Sequence, residues 1–135
     1  MSGRSLELHP IHLDTGAGAQ PQPEFPHDER AMQWYMDYAL RTAADGAGGR
    51  LVSMFHFAED WAGWEMHPAG HEVVICTAGR MVLTQEYPDG RTETVTLSPG
   101  DYAINPPGVW HTADIPEPAT GVFITAGYGT QNRRR

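Results

Sequence analysis

The chain has 135 residues, room for one domain around one core, and its 15 glycines and 11 prolines point to short strands and many turns rather than long helices. A formal net charge of -8 excludes nucleic acid and anionic membrane as electrostatic partners. The single cysteine, Cys76, excludes an intrachain disulfide, and no apolar run approaches a membrane span, so the default expectation is a soluble cytoplasmic protein.

Residues 1–27 read as an extended arm. The stretch Asp14 to Pro26 offers little to bury, and Pro21, Pro23 and Pro26 favour extended backbone. Leu6, Leu8, Ile11 and Leu13 could dock as an edge strand. Asp28 is a candidate N-cap with Glu29 in the first turn, and Ala31, Met32, Tyr35, Met36, Ala39 and Leu40 recur at helical spacing. A helix over about 28–43 follows, with a glycine-rich connector to 49 that stops it. Its aromatics, Trp34, Tyr35 and Tyr38, are expected to pack rather than to form a ligand box.

Residues 50–129 alternate strands and turns. Leu51–Phe57, Trp61–His67, His71–Thr77, Met81–Glu86, Arg91–Leu97, Tyr102–Asn105, Val109–Ile115 and Gly121–Tyr128 read as strands. Tyr87-Pro-Asp-Gly90 is a hairpin signal, and breaks are expected at Ala78-Gly79 and Pro116-Glu-Pro118. Strands at this spacing imply a sandwich or jelly-roll barrel. Cys76, inside an apolar run, is expected to be a buried small hydrophobe. Residues 130–135, with Arg133 to Arg135, read as a solvated C-terminal tail.

Two turn-rich regions carry the candidate chemistry. In Trp64-Glu65-Met66-His67-Pro68-Ala69-Gly70-His71-Glu72, strand alternation puts Glu65 and His67 on one face, and the Pro-Ala-Gly turn lets Glu72 face them. In Pro107-Gly108-Val109-Trp110-His111, a turn presents His111 at a strand start. Imidazole and carboxylate ligands without thiolate suit iron(II), manganese, nickel or zinc, and two histidines plus one carboxylate leave positions open for substrate or oxygen. His71 should face away from Glu72, at the rim, although an irregular turn would let it replace Glu72 or Glu65. His56 reads as a packed or rim histidine.

Both regions resemble the signature motifs of the cupin superfamily. The first runs Gly, five residues, His-x-His, three or four residues, Glu, six residues, Gly. His67 matches its second histidine, Glu72 its glutamate and Gly79 its closing glycine, while Glu65 stands at the first histidine. The second runs Gly, five residues, Pro-x-Gly, two residues, His, three residues, Asn. Gly100, Pro106, Gly108 and His111 match it, and Ile115 replaces the asparagine.

The resemblance implies an all-β, cupin-type jelly-roll β-barrel with one N-terminal helix. It also implies one divalent transition metal held by His67, Glu72 and His111, with Glu65 as fourth ligand or as a free base. The second carboxylate favours iron(II) or manganese, with zinc or nickel as alternatives. Trp61, Trp64, Trp110, Tyr102 and Phe123 suggest an aromatic-lined pocket for a small organic substrate. Arg50, Arg80 and Arg91 lie near turns and are read as surface charges.

The leading expectation is a metal-dependent, dioxygenase-like enzyme of the quercetinase-like single-domain kind, acting on a small aromatic or apolar molecule. A metal-dependent isomerase or lyase using Glu65 as base is the second reading, and a non-catalytic small-molecule binding or sensing module the third. Small cupins often pair through sheet edges, so the resemblance also implies a homodimer.

Overall fold

A computed structural model describes residues 2–135. It contains nine strands and one α-helix. The strands are β1 (Ile11–Leu13), β2 (Ala19–Pro21), β3 (Arg50–Phe57), β4 (Gly63–Met66), β5 (Glu72–Glu86), β6 (Thr92–Leu97), β7 (Tyr102–Asn105), β8 (Trp110–Thr125) and β9 (Gln131–Arg134). Helix α1 spans Ala31–Arg41, and a 3-10 helix follows over Ala43–Gly48. No helix among the described residues is long and apolar enough to cross a membrane.

The organising unit is an antiparallel ribbon of β5 and β8, each far longer than an ordinary strand. One half of the ribbon, Val73 to Ala78 against Ile124 to Thr120, carries β7 on one flank and β3, β1 and β2 on the other. The other half, Val82 to Glu86 against Asp114 to Trp110, carries β6 on one flank and β4 and β9 on the other. Between the halves the register slips three times from Cys76 to Val82, and such bulges bend a ribbon sharply. The bend folds one half over the other, which is the jelly-roll arrangement, although the hydrogen-bonded path does not close into a ring.

The two breaks expected at Ala78-Gly79 and Pro116-Glu-Pro118 lie at this bend. Each interrupts a strand without ending it, because β5 and β8 run straight through. Proline is tolerated where a ladder is already interrupted. Gly79 is required there: its φ is +71°, and a Cβ would collide with the Pro118 carbonyl.

Alternation then builds the core. Val74, Cys76, Met81 and Leu83 of β5 point inward, with Ala113, Ile115, Ala119 and Phe123 of β8 against them. Cys76 is fully buried, its Sγ–H directed at the Ala78 carbonyl at 3.3 Å, and burial pushes its thiol up. It is the small hydrophobe expected.

The N-terminal segment differs in detail. The arm docks through β1, which pairs with β3 on one side and with β2, the edge strand, on the other, and it is fastened by buried His12, whose Nδ1 lies 2.6 Å from the Tyr38 hydroxyl and Nε2 2.7 Å from Asp45. Helix α1 begins at Ala31, not Asp28. The Asp28 carboxylate and carbonyl accept the N–H groups of Arg30 and Ala31 in a turn before the helix, and the N-cap is Arg30. The buried face of α1 is Trp34, packed with Phe25 and Leu51 and backed by Ala31 and Tyr38. Met32, Met36 and Leu40 stay exposed, contrary to the expected stripe, because the helix docks through its aromatic side. The hairpin over Tyr87–Gly90 forms as expected, with Gly90 at φ +86°. The expected C-terminal tail is instead β9, paired along β4.

Candidate metal centre

Folding the ribbon brings its two ends together. Glu72 opens β5 in one half, and His111 lies beside the start of β8 in the other, paired with Gln85 and with Glu65 of β4. His67 follows β4 directly. Glu65, His67, Glu72 and His111 therefore converge, each offering one ligand atom, with all four atoms within 4.8 Å of one another.

Three of the four are inside the protein: His67 is 5%, Glu72 2% and His111 0% exposed. Glu72 Oε2 lies 3.1 Å from His67 Nε2, and Glu72 Oε1 lies 3.1 Å from His111 Nε2. Glu65 is the open member: its side chain is 42% exposed, and Oε2 sits 3.7 Å from both Nε2 atoms. His71, one residue before Glu72, faces solvent and stays outside the cluster, as alternation requires.

The electrostatics follow from this crowding. Burial opposes a charged His67, but the Glu65 and Glu72 carboxylates outweigh it and push the imidazole up to about 9. His111 is raised by the same balance. Burial alone would raise both glutamates, yet the imidazoles hold Glu65 and Glu72 below the usual carboxylate range.

Glu72 is further tied on both oxygens. The Asn105 amide donates to Oε1 at 3.1 Å, and the Thr125 hydroxyl donates to Oε2 at 2.6 Å. Asn105 is in turn held by Gln85, whose Nε2 donates to Asn105 Oδ1 at 2.8 Å. None of these supporting residues stood out in the sequence, although Asn105 adjoins Pro106 of the second motif.

The donor set fits a divalent cation. The Nε2 atoms of His67 and His111 lie at hydrogen-bond length from Glu72, yet neither is aligned for a hydrogen bond with any described residue. Buried ring nitrogens without an aligned partner are costly, and a cation shared among two imidazoles and two carboxylates satisfies them at once.

The interior is filled rather than hollow. Phe57, Trp61 and Phe123 pack on one another at ring separations of 5.5 to 6.1 Å, and Trp61 packs edge-on against His111. Of the aromatics expected to line a pocket, only Trp61 and Phe123 join this core. Tyr102 is 64% exposed on β7, and Trp64 and Trp110 flank Arg133 instead. Two pockets, of about 310 and 270 Å³, lie within the N-terminal arm and at the end of the β3–β8 pairing, away from the four clustered residues. His56 at that end contacts Thr120 and Glu7 and takes no part in the centre.

A folded jelly roll whose two ribbon ends bring a buried His/Glu cluster together places the chain among the jelly-roll β-proteins, with a group that could hold a metal. The cupin domain family matches residues 53–126, just over half of the chain, and the chain belongs to that family. No curated protein matches the sequence. Among solved structures, Bacillus subtilis oxalate decarboxylase is similar at TM-score 0.54 and 16% identity, over 71% of this chain and 26% of that one. Oxalate oxidase is similar at TM-score 0.53 and 14% identity, over 60% and 44%. Hydroquinone 1,2-dioxygenase from Sphingomonas sp. TTNP3, with 4-hydroxybenzoate bound, is similar at TM-score 0.51 and 15% identity, over 56% and 58%. At such identities the likeness is one of fold, and each match spans less than two thirds of the other chain.

Proposed function

We propose that the protein is a metal-dependent enzyme acting on a small aromatic or apolar organic molecule with dioxygenase-like chemistry. One observation carries the reading: two imidazoles and one carboxylate are buried and converge, while the fourth group, Glu65, is the only exposed one. Two histidines and a carboxylate with open positions are the donor set of non-haem iron(II) oxygenases. A cation held by His67, Glu72 and His111 would supply Lewis acidity and, as iron(II), the activation of dioxygen. Iron(II) or manganese is favoured, and the Mn(II) centres of Bacillus subtilis oxalate decarboxylase lend support to manganese on this fold.

The chain's own residues then divide the work. His67, His111 and Glu72 hold the cation in a fixed frame. Trp61 and the packed aromatics exclude water from the side facing the core. Glu65, ionised and reached by solvent, takes a proton from a bound substrate hydroxyl at its Oε2. Substrate approaches from the Glu65 side, because the opposite side is filled.

The test is elemental analysis of the purified protein, followed by oxygen consumption with hydroquinones, hydroxybenzoates and short dicarboxylates, comparing Glu65→Gln and His111→Ala. Failure to load any divalent metal overturns the reading. The exposed, ionised Glu65 also favours a second reading, a metal-dependent isomerase or lyase with Glu65 as base. Turnover that persists without oxygen, with zinc or manganese bound, distinguishes it. Pairing as a homodimer belongs to the same proposal, and the exposed Tyr102 and Ile104 on β7 with Val95 on β6 offer a face for it. Light scattering of Ile104→Glu checks that surface.

A further inference from the structure

The family match ends at residue 126, yet the centre does not. The turn after β8 places Thr130 against His67, with Oγ1 2.8 Å from Nδ1. The same hydroxyl lies 2.9 Å from the Gly127 carbonyl. A carbonyl can only accept, so the hydroxyl proton of Thr130 is committed to Gly127. The Thr130 oxygen can then only accept from His67, and Nδ1 must carry the proton. In the neutral ring that leaves the lone pair on Nε2, the nitrogen that faces the cluster and lacks an aligned partner.

Strand β9 fixes this turn. Gln131 and Asn132 pair with Met66 and Glu65 of β4, so one short ladder joins the segment behind His67 to the strand carrying Glu65. Arg133 lies over the rings of Trp64 and Trp110 at 4.9 and 4.5 Å and reaches Glu86 at 2.8 Å, which anchors the ladder at its far end.

We propose that Thr130 is a positioning residue of the metal centre: its hydroxyl, held by Gly127 and β9, locks His67 in the Nδ1–H tautomer so that Nε2 is presented as a ligand. The proposal rests on the metal-binding reading above for its consequence but not for its geometry. Outer-shell partners of this kind typically change metal affinity by about 10- to 100-fold when removed.

The experiment compares wild type, Thr130→Val and Thr130→Ser in the full chain, with zinc as the probe. Zinc affinity is measured by competition with a chelator, and the His67 ring nitrogens are followed by ¹⁵N NMR with zinc and, without it, at a pH high enough for the ring to be neutral and its tautomer defined. Thr130→Val should bind zinc about 10- to 100-fold more weakly and lose the slowly exchanging Nδ1–H signal, whereas Thr130→Ser should stay within about threefold of wild type and keep it. Equal zinc affinity in Thr130→Val, or equal losses in the Ser and Val variants, overturns the proposal. So does the absence of a bonded Nδ1–H in metal-free wild type. A wild type that shows this signal but takes up no zinc overturns the metal-binding reading while leaving the lock itself standing.

Discussion

The two glutamates of the cluster share a charge and a pair of histidines, yet their surroundings are opposite. Glu72 is 2% exposed, has both oxygens tied, to Asn105 and Thr125, and lies 3.1 Å from each imidazole. Glu65 is half-buried, sits 3.7 Å from each imidazole, and shows no hydrogen bond shorter than those contacts among the described residues. On the proposed function, the difference would separate a frame from a working group. A carboxylate whose two oxygens each accept from a fixed donor keeps a lone pair on each for a cation but cannot turn, whereas a loosely held one can change partner and carry a proton.

The largest effect should come from breaking the frame. In Glu72→Gln the new amide would set a donor against the Asn105 amide or an imidazole, and His111→Ala removes a ligand outright. Both should abolish retained metal and turnover together, with affinity falling beyond the roughly 100-fold typical of an outer-shell loss, as read by elemental analysis and chelator competition. Glu65→Gln sharpens the contrast: metal affinity should change less than about tenfold while turnover falls by roughly 10²- to 10⁴-fold. Equal losses of metal in the Glu65 and Glu72 variants would erase the distinction.

The metal-free protein should report the frame through pH. His67 titrates near 9 in the fold against 6.5 in the unfolded chain. Its contribution is therefore complete below about 6.5 and lost as pH rises through 9, at most about 3 kcal/mol. Thermal melting in chelator should fall over that window, and flat melting temperatures there would count against the coupling. Asn105→Ala should weaken metal binding by about tenfold, by freeing one oxygen of Glu72, with a smaller loss of stability. His71→Ala, outside the cluster, should leave affinity within about twofold.

The four residues of the cluster were legible as candidates because the chemistry is local: Glu65 and His67 two apart, a tight turn, then Glu72, with His111 after a Pro-x-Gly turn. Their supporters were not. Asn105, Thr125 and Thr130 reach the cluster across 33, 53 and 63 residues of chain, and a lone threonine or asparagine leaves no periodic trace. The strand count erred where Pro116 and Pro118 read as breaks, because a bulged ribbon accommodates proline that a regular ladder would not. Three arginines read as a tail because charge is visible in sequence, while the two tryptophans that hold Arg133 meet only after folding. The aromatic pocket was overestimated for a related reason: composition reveals rings but not whether they pack against each other or line a space.

Strand β8 has a consequence for the order of assembly. It supplies partners to β3, β4 and β5, and all three precede it in the chain. During synthesis, the edges of β3 and β5 remain open until residues 110–125 have emerged. Such a sheet forms late and slowly, since its pairings join distant segments, and its early strands are the ones exposed to mispairing in the interval.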